Sequence, residues 1–137
     1  ELSTYFAREA VCVNTGTAAL HLALQALGVG PGDEVLVQSL TYVASFQAIS
    51  ATGARPVPCD IDPDTITLNV DDAKKRITEH TRVVMPVHYA SGVGALDEIY
   101  ESHLPNDANI SSLVSVILGV PELKQNSLDN IGIKRIK

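Results

Sequence analysis

The constraint that narrows the fold most is a regular alternation of short apolar runs with amphipathic stretches, each pair separated by Gly, Pro, Asn or Asp. That alternation is the signature of βαβ units, and βαβ units build a mostly parallel sheet covered by helices on both faces. Ala10 to Val13 reads as a strand, Thr17 to Leu27 as a helix, and Gly28 to Asp33 as its C-terminal turn. Val35 to Val37 is the next strand, Tyr42 to Ala51 a helix stopped by Gly53, and Pro56 to Asp60 a third strand. Val70 to Ile77 reads as a helix entered through Asn69, Arg82 to Val87 as a fourth strand, and Ala95 to Ser102 as a further helix. After Leu104 the alternation stops, and the segment Ser111 to Leu118 reads as helical. The expected class is therefore α/β, a three-layer αβα arrangement over residues 1–104, with a helical tail over 105–137.

The 137 residues are a one-domain length. A hydrophobic fraction of 45% against 19% charged residues describes a globular chain with a core. The net charge of −6 and the scattered Lys and Arg residues argue against nucleic-acid or membrane-surface partners. No apolar run reaches the roughly 20 residues of a membrane span, and the first residues lack the pattern of a signal peptide, so the expected compartment is the cytoplasm. Cys12 and Cys59 each fall in a β-like run, where cysteine usually acts as a small buried hydrophobe.

The chemistry-bearing stretch is Asn14, Thr15, Gly16, Thr17, between the first apolar run and the first helix. Glycine admits close backbone approach, the two hydroxyls can donate, and the amides of a helix N-terminus point outward toward an anion. An ordinary N-cap uses the same residue types, so the motif alone fits either role. The Gly28 to Gly32 turn runs from helix to strand, the wrong context for a nucleotide loop, and is structural. His21, His80 and His103 have no partner at metal or catalytic spacing, and Asp60 and Asp62 before Pro63 suit a turn better than acid–base work.

From Thr15-Gly16-Thr17-Ala18-Ala19-Leu20-His21 onward the order of motifs resembles a known family. The matches continue through Leu27-Gly28-Val29-Gly30-Pro31-Gly32-Asp33, Thr41-Tyr42-Val43-Ala44-Ser45, Gly53-Ala54-Arg55-Pro56, Asp60-Ile61-Asp62-Pro63 and Pro86-Val87-His88. Together they are similar to the DegT/DnrJ/EryC1/StrS aminotransferases, pyridoxal-phosphate enzymes of the aspartate aminotransferase fold (fold type I). The resemblance implies pyridoxal 5′-phosphate as cofactor, held at Thr15, Gly16 and Thr17. It implies a nucleotide-linked keto sugar as substrate, an amino donor such as glutamate, and a homodimer.

Within that resemblance Tyr42 matches the aromatic that stacks on the pyridine ring, although a core aromatic is the plain alternative. His88 stands at the carboxyl end of its strand, where either a direct or a structural role fits. The family's catalytic lysine, and the acid that faces the pyridine nitrogen, come after segments that have no match here, and no residue is assigned as catalytic. The tail from Asn109 to Ile131 is similar to the start of the family's small domain, which implies that the catalytic middle is skipped near Pro105. The chain is then expected not to complete a transamination cycle. A noncatalytic module that retains dimerisation or ligand binding is the alternative.

Overall fold

The computed structural model of the chain describes residues 2–6, 11–91, 98–99, 112–113, 116–117 and 134–135. The helices are α1 (Leu2–Phe6), α2 (Gly16–Ala26), α3 (Ala44–Ala51) and α4 (Val70–Lys75). The strands are β1 (Glu34–Gln38), β2 (Arg55–Cys59), β3 (Thr81–Met85), β4 (Val87–His88), β5 (Ser112–Leu113), β6 (Val116–Ile117) and β7 (Lys134–Arg135). A 3₁₀ turn spans Tyr89–Ser91. One sheet runs β2-β1-β3-β5-β7 and a second pairs β4 with β6. All pairings are parallel except β5 with β7.

Every residue of β1 is buried, as expected of a parallel strand covered on both faces. Val35 and Val37 look to one side, where they join Leu24 of α2, Ala48 and Ile49 of α3, and Val83, Met85 and Val87. Leu36 looks to the other, with Cys59, Leu68, Val70 and Ala73 of α4, Val84 and Ile99. The αβα layering is thus present, with α2 and α3 on one face and α4 on the other.

β2 closes one edge of the sheet. The amide of Arg55 donates to Asp33 O at 2.9 Å. Amides alternate in direction along a strand, so Pro56 and Pro58, which have none to give, fall on the outward side. Two prolines on an edge block further pairing there. Growth of the sheet is confined to the side of β3.

The helix ends are set by local chemistry. Thr15 caps α2, its Oγ1 accepting from the amide of Ala18 at 3.1 Å, and Asn69 caps α4 by accepting from Asp72 at 2.9 Å. At the far end of α2, Gly28 with φ of 76° completes a Schellman turn. Its amide donates to Gln25 O at 2.9 Å, and that of Val29 donates to Leu24 O at 3.1 Å. Val29 and Leu24 are both in the core, the apolar contact that accompanies this motif.

Two expectations change. Residues 11–13 form no strand, and Val11 and Cys12 are exposed, because no described strand lies beside them to satisfy their backbone. The helical reading of Ser111 to Leu118 gives way to β5 and β6 at residues 112–113 and 116–117. Val116 and Ile117 are β-branched, and pairing with β4 offers them a ladder that outweighs a weak helical period. Both pairings keep the same offset, Val83 opposite Ser112 and Val87 opposite Val116. The helix expected at Ala95 to Ser102 lies outside the described residues except at 98–99, which are helical. The short α1 has no counterpart in the sequence reading.

Candidate functional site

The chain leaves β1 toward β2 through α3 on one face, and leaves β2 toward β3 through α4 on the other, with β1 in the middle. After β3 and β4 it proceeds to Ile99, which packs with Leu36 and Val84 on the α4 face. The connections after β1 and after β3 therefore diverge to opposite faces of adjacent parallel strands. That is a topological switch point, and the crevice outside the carboxyl ends of such strands is where open α/β sheets bind ligands.

Two helices aim their N-termini at that edge. The turn after α2 and the turn after α3 touch each other: the position of a Cβ on Gly53 lies 2.9 Å from Pro31 Cγ, and that on Gly30 lies 4.0 Å from Thr52 O. Pro31 precedes the amino end of β1, so both helix C-termini sit at the amino edge. Packed side by side, α2 and α3 then both begin at the carboxyl edge.

At the start of α2, the amide of Ala18 is met by Thr15 Oγ1 and that of Ala19 by Thr15 O at 3.1 Å. Among the described residues the amides of Gly16 and Thr17 meet no such acceptor, and the positive end of the helix lies behind them. Among the described residues nothing lies within 4 Å of a Cβ built on Gly16, which leaves the backbone open to a ligand. Thr15 and Thr17 are exposed and bring their hydroxyls to the same turn.

Tyr42 precedes α3 and is 63% exposed among the described residues. Its carbonyl accepts from Ser45 at 3.0 Å, and Ser45 Oγ, fully buried, bonds Thr41 Oγ1 at 2.9 Å, which fixes the turn into the helix. His88 ends β4 and is buried; burial holds its imidazole below the ordinary histidine value and so in the neutral form. The loops bearing Thr15–Thr17, Tyr42 and His88 all lie on the carboxyl edge. Both non-glycine residues with positive φ among the described residues, Ile66 (57°) and Ala90 (47°), also fall in loops that follow the carboxyl ends of strands. Such backbone outliers gather at ligand sites.

The other singled-out residues stay structural. The Gly28 to Gly32 turn is at the opposite edge, closed by Asp33 Oδ2 accepting from Gly30 at 2.9 Å. Asp62 Oδ1 accepts from Asp64 and Thr65, and these amides hold its carboxyl below the usual range, as a turn carboxylate requires. His80 is exposed beside Glu79, and His103 lies outside the described residues. Among the described residues no group of His, Cys, Asp or Glu is arranged to hold a metal, and no helix is long and apolar enough to cross a membrane. Lys74 and Lys75 end α4, which leads to the amino end of β3, so they stand at the edge away from the crevice. The sequence reading missed Gln38, whose amide bridges two loops of the carboxyl edge. Its only signal was a polar residue closing an apolar strand.

The profile of the DegT/DnrJ/EryC1/StrS aminotransferase family matches residues 1–104. The chain belongs to this family. It is 47% identical over 94 residues to GDP-perosamine synthase of Caulobacter vibrioides, a match covering 69% of this chain and 25% of that protein. It is 44% identical over 91 residues to dTDP-4-dehydro-2,3,6-trideoxy-D-glucose 4-aminotransferase of Saccharopolyspora spinosa, covering 66% and 24%. Among solved structures it is similar to S. venezuelae DesV in complex with a ketimine intermediate, with a TM-score of 0.70, 45% identity, and coverage of 75% of this chain and 27% of that one. These structural neighbours are fold type I pyridoxal-phosphate aminotransferases, so the αβα arrangement described above is a portion of that fold. The chain spans about a quarter of the length of the relatives it matches.

Proposed function

We propose that this chain forms the phosphate-binding and ring-stacking side of a pyridoxal-phosphate site, in an aminotransferase that acts on a nucleotide-linked keto sugar with an amino donor such as glutamate. The observation that carries the reading is the placement of the open α2 N-terminus and the exposed Tyr42 side by side on the switch-point edge. The residues fit the group. The Gly16 and Thr17 amides with the Thr15 and Thr17 hydroxyls would hold the phosphate, and Tyr42 would lie against the pyridine ring. His88, neutral and buried at the end of β4, would hold a hydrogen bond without bringing a second positive charge to the site.

When bound, the cofactor supplies an aldehyde that takes up an amino group and a ring that withdraws electrons from the adjoining carbon. What the chain's own residues do is bind and orient. The amide cradle fixes one end of the cofactor, and the phenol ring fixes its plane. Binding as one of two identical subunits, and residence in the cytoplasm, belong to the same proposal, as does the division at residue 104 into a large-domain part and a small-domain entry.

A second reading, a noncatalytic module that keeps ligand binding or dimerisation, is supported by the position of Lys74 and Lys75 at the wrong edge for a Schiff base. Equilibrium dialysis of the full chain with pyridoxal phosphate and with pyridoxal tests the shared part. Binding at least about ten-fold tighter with the phosphate is expected from charge-assisted bonds to two or more donors, and equal binding of the two would end the cradle reading. Borohydride treatment of the complex separates the alternatives: a stoichiometric trapped lysine adduct supports the enzyme, and its absence with retained binding supports the module.

A further inference from the structure

At the carboxyl end of β1, Gln38 is fully buried, and its Nε2 donates two hydrogen bonds. One goes to Leu40 O at 2.8 Å and the other to Ile66 O at 3.0 Å. Leu40 belongs to the loop 39–43 that carries Tyr42, and Ile66 to the loop 62–67 after β2. The two loops lead to opposite faces of the sheet. We infer that Gln38 is a positioning residue of the site: it ties these loops together across the top of β1 and thereby fixes where Tyr42 presents its ring.

Three further observations support a tie kept for position rather than for packing. Leu36, two residues earlier on the same side of the same strand, is apolar and fully buried, which is what a packing role selects. The Gln38 Oε1 atom is buried with no hydrogen-bond partner among the described residues, a desolvation cost that an apolar residue would not carry. Ile66 holds a φ of 57°, a conformation that a β-branched residue adopts only when its surroundings impose it. The surroundings are visible: its amide donates to Asp62 O at 2.8 Å and its carbonyl accepts from Gln38. Both Leu40 and Ile66 side chains remain exposed, so the tie acts on the backbone of the loops and leaves their apolar side chains at the rim of the crevice.

The consequence for the cofactor rests on Tyr42 being its stacking partner, whereas the tie itself does not. Amide hydrogen exchange on the full chain tests the tie. In Gln38→Met, which keeps length and burial but cannot donate, segments 39–43 and 62–67 are expected to exchange together about ten-fold faster, while 81–85 is unchanged. Unchanged loops, or equal acceleration of all three segments, would overturn it. If Gln38→Met does not fold, Gln38→Asn, with its amide one methylene short, is read in the same way.

Pyridoxal-phosphate affinity then tests the link to Tyr42. Gln38→Met and Tyr42→Leu are each expected to weaken binding several-fold, and the double variant no further than the weaker single one. Additive losses would overturn the positioning role. An unmodified chain that binds no pyridoxal phosphate would remove the stacking reading, with the exchange result still deciding whether Gln38 ties the loops.

Discussion

Gly53 meets Pro31 with no space for a side chain: a Cβ there would stand 2.9 Å from Pro31 Cγ and 3.2 Å from Pro31 Cδ. Gly53 also has a φ of 86°, in the left-handed region that costs other residues. This contact locks the turn after α2 to the turn after α3, and through it sets the two helices alongside each other. Gly53→Ala should destabilise the chain by about 2–4 kcal/mol, from the left-handed backbone plus overpacking. Gly28→Ala, with φ of 76° but nothing within 4 Å, should cost only the backbone part, about 1–2 kcal/mol. Urea midpoints of the two variants check the difference.

Glu34 is buried at the amino end of β1, where its carboxylate pairs with Arg55 and accepts from Thr78 Oγ1 at 2.7 Å. Burial pushes its carboxyl up, but the Thr78 hydroxyl and the Arg55 guanidinium outweigh that and hold it below the ordinary value of 4.5. A carboxylate with a lowered folded-state pKa adds stability above its unfolded value, and that stability is lost as pH falls through the folded one. Glu34→Gln should therefore flatten the acid limb of the stability profile below about pH 4.5. Arg55 is largely exposed and can turn to water when Glu34 is removed, whereas Arg55→Ala strands a buried carboxylate. The second variant should cost more, about 1–3 kcal/mol at pH 7.

His88 shows the same sign of pH dependence as Glu34, in a higher range of pH. Burial lowers its folded-state pKa from 6.5, so its contribution is full above that value and declines as pH falls below it toward the folded pKa. The decline cannot exceed about 1.4 kcal/mol per pH unit for one group. Denaturant midpoints at pH 7.5 and pH 5.5 should differ less in His88→Gln than in the unmodified chain.

Tyr42 is mostly solvent-exposed, and truncating it should shift stability by less than about 0.5 kcal/mol. An aromatic pair is worth about 0.5–1.5 kcal/mol beyond burial, so Tyr42→Leu should weaken pyridoxal-phosphate binding by up to about ten-fold. Tyr42→Phe should retain it. Parallel melting and dialysis measurements separate the two effects, and equal binding by the Leu and Phe variants would remove Tyr42 from the site.

The two cysteines should differ sharply toward a thiol reagent. Cys12 is exposed, whereas burial pushes the Cys59 thiol up to about 11 and packs it between Leu36 and α4. At pH 8 one thiol should react at once and the second only on unfolding. Two fast thiols would mean that the α4 layer is not seated.

How far the fold could be read depended on where each element draws its stability. β1, β2 and β3, the helices α2 and α3, and their glycine stops follow from local pattern, since Leu24, Val35, Val37 and Ile49 form periodic faces bounded by Gly28 and Gly53. Residues 11–13, 112–113 and 116–117 were misjudged because a strand exists only through its neighbour. The apolar run at 11–13 has none described beside it, whereas 112–113 pair with β3 and 116–117 with β4. Of the candidate site, Thr15, Gly16, Thr17, Tyr42 and His88 were legible as motif positions. Gln38 was not, because its significance is two carbonyls, one of them 28 residues away, that no local pattern reveals.

By itself, the sequence determined the alternating elements, the caps of α2 and α4, and the ordered motifs that mark the family, since all of these are read within a few residues of chain. Only the tertiary structure decided that β1 is the central strand between β2 and β3, and that the loops after β1 and β3 part to opposite faces. It also brought two helix N-termini to one edge, through the Pro31–Gly53 contact at the other. The reason is physical: caps and periodicity are set by bonds between near neighbours, whereas a crevice exists only where distant segments are packed against one another.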